Sequence, residues 1–181
     1  MPIATGVHKL GPGDAVLRVK TYRQGVAAKV GHDLVIEVTS WEATLEVGED
    51  PTQSTVVLTV DPGSFEIREG TGGMKPLTDK DRADIGKNMN DKVLRGKPIA
   101  FRSTSVEAAG GDGSLVVHGD LELAEATRPA SFPLAVGADG RVTGKTELTQ
   151  SEWGIKPYSG LMGALKVRDS VEVEIEGRLP G

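Results

Sequence analysis

Residues 170–178, Ser-Val-Glu-Val-Glu-Ile-Glu-Gly-Arg, leave this chain little choice of structure. Val171, Val173 and Ile175 alternate with Glu172, Glu174 and Glu176. Side chains of a β-strand point to opposite faces in turn, so one face is β-branched and apolar while the other carries three carboxylates. A slip of one residue would bury all three charges, which fixes the register wherever one face is covered. The chain therefore needs a sheet with a dry side and a wet side.

The same alternation recurs along the sequence. Leu121 and Leu123 point to one side, with Asp120, Glu122 and Ala124 on the other. Thr127-Arg128-Pro129 is expected to turn the chain, after which Phe132, Leu134 and Val136 restore the apolar side. Pro129 has no N–H and suits the start of a strand or a bulge. A strand from Val142 to Thr149 follows, then a kinked loop through Trp153, Gly154 and Pro157. Upstream, Ala15 to Tyr22 reads as a strand with Leu17 and Val19 inward, whereas 25–31 fits either a short helical turn or an irregular strand. The longest β pattern, His32 to Val47, changes phase: Leu34, Ile36 and Val38 are even, but Trp41, Ala43, Leu45 and Val47 are odd. Such a switch predicts a bulge or sharp bend near Thr39-Ser40, of the kind barrels use at corners. Shorter strands follow at Val56–Val60, Phe65–Ile67, Ile99–Val106 and Leu115–Val117, with Gly110-Gly-Asp-Gly113 and Ala138-Asp-Gly140 as tight turns.

One helix interrupts this series, over Thr78 to Leu94. Thr78 as N-cap with Asp81 three residues on resembles a capping box. Ile85, Met89 and Val93 form a narrow apolar stripe suited to a lid over an opening. Gly96 and Pro98 end it. Together these elements predict a mainly β fold: an antiparallel up-and-down barrel of about eight strands, one helix inserted at about 78–94, and a single domain over 1–181.

Composition narrows the function. There is no cysteine, so no disulfide framework or zinc-thiolate site forms. A net charge of −5 argues against non-specific nucleic-acid binding. No apolar run approaches the roughly 20 residues that span a bilayer. No basic segment followed by an apolar stretch opens the chain, so a cytoplasmic location is expected, with a trimmed export signal left open. His8, His32 and His118 form no metal-ligand spacing, and structural roles are expected for them. Gly70-Thr-Gly-Gly73 lacks the Gly-Lys-Ser/Thr of a phosphate cradle and reads as a plain loop. Glu152, beside Trp153, is expected to pair with Arg128, Arg168 or Lys156. No Gly-x-Ser-x-Gly elbow is present, and an enzyme is not expected. Only 4% of residues are aromatic, and the inward positions are mostly Val, Leu, Ile, Ala and Gly. Such a wall fits both an apolar tunnel and a flattened, filled barrel.

Three segments carry a family resemblance. Gly119-x-Leu-x-Leu123 leading to Thr127-Arg-Pro129, Ser151-Glu-Trp-Gly-Ile-Lys-Pro-Tyr158 and Asp169-x-Val-x-Val-x-Ile175 closely resemble the YceI-like family of lipid-binding proteins. The match is specific from about Ile99 onward. It implies an extended lipocalin-like barrel that holds an isoprenoid or fatty-acyl chain. Many relatives carry Arg-Asp-x-His-Leu at the start of the helical insertion, where this chain reads Thr78-Asp-Lys-Asp-Arg82, so no headgroup contact is carried over there.

The reading that follows is non-catalytic binding of a polyisoprenoid, isoprenoid quinone or fatty-acyl lipid inside the barrel, as carrier, store or sensor. The expected ligand-binding residues are Leu34, Ile36, Phe65, Phe101, Leu121, Leu123, Phe132, Leu134, Trp153, Leu161, Met162, Leu165 and Val173. The mouth is expected between the loop Trp153–Leu165 and the helix, with Lys156 and Tyr158 near a polar headgroup. No metal or other cofactor and no nucleic-acid partner is expected, and a homodimer is left open. The alternatives are an enzyme acting on a lipid in the same barrel and a filled-core scaffold whose function lies on its outer strands.

Overall fold

The computed structural model describes residues 5–73, 75–110, 114–137, 139–160 and 165–179. Its strands are β1 (Gly6–Leu10), β2 (Ala15–Thr21), β3 (Arg23–Gln24), β4 (Asp33–Val38), β5 (Trp41–Val47), β6 (Thr55–Val60), β7 (Phe65–Thr71), β8 (Ile99–Ala108), β9 (Ser114–Leu123), β10 (Ala126–Val136), β11 (Arg141–Thr149), β12 (Ser159–Gly160), β13 (Leu165–Val167) and β14 (Ser170–Arg178). Eleven form one antiparallel sheet in the order β1-β5-β6-β8-β9-β10-β11-β14-β2-β4-β7, and β12-β13-β3 form a small second sheet.

The end strands of the large sheet, β1 and β7, are not free ends of the architecture. Each continues through a bend into a neighbour: β1 into β2, β4 into β5, β6 into β7. Followed through these bends, the sheet wraps round on itself as eight long runs. The expectation of about eight strands therefore undercounts the fourteen described ones, because three runs break at corners. The corner at Thr39-Ser40 is where the change of phase predicts it. There the Thr39 N–H and Oγ1 both donate to the Ser64 carbonyl, at 2.9 and 2.8 Å. The Asp61 N–H donates to the Ser40 carbonyl at 3.0 Å, and Ser64 Oγ to the Asp61 carbonyl at 2.8 Å. The two facing bends thus satisfy one another's backbone groups, and both sets of apolar residues stay inward: Ile36 and Val38 before the corner, Trp41, Ala43, Leu45 and Val47 after it are all buried.

One turn falls elsewhere than the residues suggest. The β9–β10 hairpin turns at Ala124-Glu125, with Ala124 at φ 55° and Leu123 paired to Ala126. Thr127, Arg128 and Pro129 lie inside β10, Pro129 opposite Asp120. β10 pairs with β11 only over Leu134–Val136, so Pro129 has a strand neighbour on one side alone, the edge-like setting where proline is tolerated. The 111–113 part of the Gly-rich turn and Ala138 of the next fall outside the described residues. Gly119 permits a close approach in the β8–β9 wall, where the register shifts between Ser103 and Ser105. A Cβ there would collide with the Arg102 carbonyl and with Cζ of Phe101, whose ring lies over it.

The wet face of β14 is an ion-pair ladder. Glu174 meets Lys20 at 3.1 Å, Glu172 meets Lys145 at 3.5 Å, and Glu176 meets Arg141 at 2.8 Å. The hydroxyl of Tyr22 donates to Glu172, which holds that carboxyl below the usual carboxylate range. Helix α1 (Asp79–Asn88) joins β7 to β8. Its capping box is formed: Asp81 N–H donates to Thr78 Oγ1 at 3.1 Å, and Thr78 N–H to Asp81 Oδ2 at 2.9 Å. The last turn, Met89–Val93, widens to π geometry, with the Leu94 N–H on the Met89 carbonyl at 2.8 Å. Among the described residues no helix is long and apolar enough to cross a membrane.

Candidate functional site

At one end of the barrel, where β2 and β9 finish and β4, β8 and β14 begin, the inward side chains do not meet. They enclose a cavity of about 550 Å³. Its wall comes from eight of the described strands: Leu17 and Val19, Leu34, Ile36 and Val38, Leu58 and Val60, Phe65, Ile99, Leu121 and Leu123, Leu148, Val171 and Val173. Ile85, Met89, Val93 and Leu94 close it from above. The stripe expected from the sequence is thus the one that faces the hollow. Ile85, Met89 and Val93 are only partly buried, whereas Leu94, just past the last turn, is closed off in the core.

The same signature runs along the wall. Val19, Leu58, Phe65, Leu123 and Val173 point inward yet stay only partly buried, whereas Ile36 and Val38 beside them are nearly closed off. Medium aliphatic side chains leave the centre of an eight-run barrel unfilled. A second, smaller space of about 130 Å³ lies toward the other end, lined by Leu10, Leu45, Val56, Phe101, Phe132, Leu134 and Leu179 among others.

The mouth has a polar rim. Arg23, His32, Asp84, Tyr158 and Lys166 are the titratable residues that line the main cavity. Arg23 is committed to structure: its Nη1 donates to the carbonyls of Gly31 at 2.7 Å and Thr71 at 3.2 Å, and its N–H to Asp33 Oδ1 at 2.9 Å. His32 Nε2 meets the Lys75 carbonyl at 2.7 Å, a structural role as expected. Asp84 pairs with Lys80 at 2.7 Å. A Cβ at Gly72 would fall on the Arg23 guanidinium and one at Gly73 on the His32 ring, so the Gly-rich loop makes room for these two side chains.

The excursion from β11 to β14 builds one side of the mouth. Its neck is tied by Gln150 N–H to the Asp169 carbonyl at 2.9 Å, and by Ser151 N–H and Oγ to the two Asp169 carboxylate oxygens at 2.8 and 2.5 Å. Trp153 then inserts into the core, 3% exposed, with its indole N–H on the Leu121 carbonyl at 2.9 Å. Gly154 adopts the left-handed conformation that ends this turn, Ile155 is buried, and Tyr158 reaches the rim. Glu152 is exposed, and among the described residues no ion pair links it to Arg128, Arg168 or Lys156. Arg168 instead stacks over the Tyr22 ring, 5.8 Å from its centroid.

Of the residues singled out from the sequence, Leu34, Ile36, Phe65, Leu121, Leu123 and Val173 come together around the main cavity. Phe101, Phe132 and Leu134 line the smaller space, which Val173 also borders. Trp153 lines neither and belongs to the packed core. Lys156 is exposed and away from the lining. Leu161, Met162 and the side chain of Leu165 lie outside the described residues. Sequence reasoning missed Arg23, Val30, Gly31, His32 and Val167 on the rim. Arg23 and Val167 lie in strands of two and three residues, Val30 ends a 3₁₀ turn, and Gly31 and His32 follow it outside any element, all too short to show a period. His118 lies on the outer face, with Nδ1 on Ser131 Oγ at 2.7 Å and Nε2 on Glu107 at 3.0 Å. Among the described residues no group of His, Asp and Glu side chains is placed to hold a metal ion.

These features define a curled antiparallel barrel with an apolar hollow under a helical lid. The YceI-like domain model matches residues 18–179, and the chain belongs to the YceI-like family. Its fold is similar to that of BcnA from Burkholderia cenocepacia, with TM-score 0.65 at 16% identity over 90% of this chain and 94% of that one. It is also similar to a polyisoprenoid-binding domain from Saccharophagus degradans implicated in plant cell wall breakdown, with TM-score 0.59 at 9% identity over 98% and 100% of the two chains. No curated protein sequence matches the chain.

Proposed function

We propose that this protein binds one long apolar molecule, an isoprenoid or fatty-acyl chain, in the barrel interior and does no chemistry on it. The observation that carries this reading is the 550 Å³ cavity with aliphatic walls, a size within the roughly 300–1,000 Å³ typical of ligand sites. Burying about ten methylenes contributes roughly 8 kcal/mol. Ordering the chain and losing its free translation offset several kcal/mol of that. A ligand of this kind needs no ion pair to bind usefully. The polyisoprenoid-binding domain similar in fold points the same way. Three of the five titratable groups of the lining are engaged in ways that support a binding role over catalysis: Arg23 and His32 hold backbone carbonyls, and Asp84 pairs with Lys80.

Native mass spectrometry of the protein purified from its own host tests the reading. Co-purified lipid, or stoichiometric uptake of an isoprenoid quinone or long-chain fatty acid on titration, is the expected result. A bare mass with no uptake of either favours the filled-scaffold alternative. Turnover of the added lipid would establish the enzyme alternative.

A further inference from the structure

Three side chains border both the main cavity and the smaller space: Leu17 of β2, Leu58 of β6 and Val173 of β14. β2 and β14 are hydrogen-bonded neighbours, whereas β6 pairs with neither of them. The three side chains therefore form a waist between an outer chamber under the lid and an inner chamber of about 130 Å³ near the opposite end. Leu58 and Val173 are only partly buried although both point inward, so they project into open space and not into packed neighbours. Beyond the waist the lining of the inner chamber includes Phe101 and Phe132, whose ring centroids are 5.2 Å apart and tilted by 59°. No acid or histidine lines this chamber, and Lys145 is its only charged residue among those described.

We propose that the inner chamber is a separate subsite for the hydrocarbon terminus of the ligand, reached by threading past Leu17, Leu58 and Val173 and ending on the Phe101–Phe132 pair. This rests on the lipid-binding reading and adds the class of molecule selected: one whose tail is slender and longer than the outer chamber can hold. A short or bulky apolar molecule fills only the outer chamber and forgoes the inner contacts. Each methylene placed past the waist adds contact with an apolar wall, so affinity rises about fourfold per methylene, the counterpart of roughly 0.8 kcal/mol.

The test is a series of saturated fatty acids from octanoic to eicosanoic, with affinity measured by displacement of a fluorescent fatty acid. In the natural protein the affinity should keep climbing over the longest members. In Leu58→Phe, which fills the waist, the climb should stop partway and the longest acid should bind at least tenfold more weakly than it does to the natural protein. Val173→Phe fills the same waist from β14 and should break the series at the same length, so one folded variant of the two, checked by circular dichroism, suffices. A folded variant that keeps the natural length profile overturns the subsite, as does a natural profile that is already flat over the longest acids. Failure of the natural protein to take up any acid or any isoprenoid quinone would instead remove the lipid reading itself, and the subsite with it.

Discussion

In the β9–β10 wall ten consecutive residue pairs run unbroken, from Ala126 opposite Leu123 to Ala135 opposite Ser114, whereas at the mouth β3 meets β13 at two pairs only. The wall buries Leu115, Val117 and Leu121 almost completely. The lid buries none of the side chains of α1. The wall is held by periodic burial and a long ladder. The mouth is held by single polar ties: Arg23 to two carbonyls, His32 to one, Thr78 to Asp81, Ser151 to Asp169. Local opening free energies are lowest where apolar contacts are few. The wall is thereby the stiffer of the two regions, and the mouth is the one expected to open first.

The sharpest way to break this comparison is one charge placed in each region. Leu121→Asp puts a carboxylate on the buried wall and should cost on the order of 4 kcal/mol or more, enough to abolish folding or uptake. Ile85→Asp on the lid should leave urea unfolding within about 1 kcal/mol of the natural protein while lipid uptake falls. A folded Leu121→Asp protein that still retains lipid would show that the wall faces are misassigned. Next in size is Trp153→Phe, which leaves the Leu121 carbonyl without its indole donor. A loss of roughly 1–3 kcal/mol is expected in denaturant titration, since this side chain belongs to the wall and not to the cavity.

Thr78→Ala removes the lid's N-cap and should cost about 1 kcal/mol in the helix. Faster ligand release in stopped-flow exchange should exceed any change in global stability. Acid sharpens the same point. The Thr78 backbone and hydroxyl hold the Asp81 carboxyl below its ordinary range. A carboxylate lowered in the folded state contributes above its unfolded value, and that contribution is lost as pH falls through the folded value. Lid fraying should therefore grow on acidification through and below the ordinary aspartate range, with the dependence abolished in Asp81→Asn. The smallest effect is expected for Glu174→Lys. It breaks the pairs to Lys20 and Lys145 on the wet face, a loss of about 1 kcal/mol or less with lipid uptake retained. Lost uptake there would mean that the outer face takes part in binding.

The legible parts and the missed parts divide along the same line. Strict alternation located β14, both inward sets of the β4–β5 run and the corner between them. In each, one residue's displacement would bury charge or expose a core residue. The helix was legible down to its capping box, because Thr78 and Asp81 meet within one turn. The Thr127–Pro129 turn was misplaced, since Ala124-Glu125 carries no glycine or proline to mark it and its positive φ comes from a two-residue hairpin that the long β9–β10 ladder imposes. The rim residues Arg23 and His32 show no pattern of their own. Their partners are carbonyls 8 and 43 residues away, at Gly31 and Lys75, and backbone acceptors leave no trace in composition.

From the sequence alone come the antiparallel sheet, its dry and wet faces, the bend at Thr39-Ser40 and the apolar stripe under the lid, because period-two and helical spacing are local and enforced by the cost of burying charge. Whether the dry face encloses a hollow was decided only in three dimensions. It depends on how far facing walls stand apart once the bent strands have wrapped round, and on whether Leu58 of β6 and Val173 of β14 touch or leave a gap, which no spacing along the chain records.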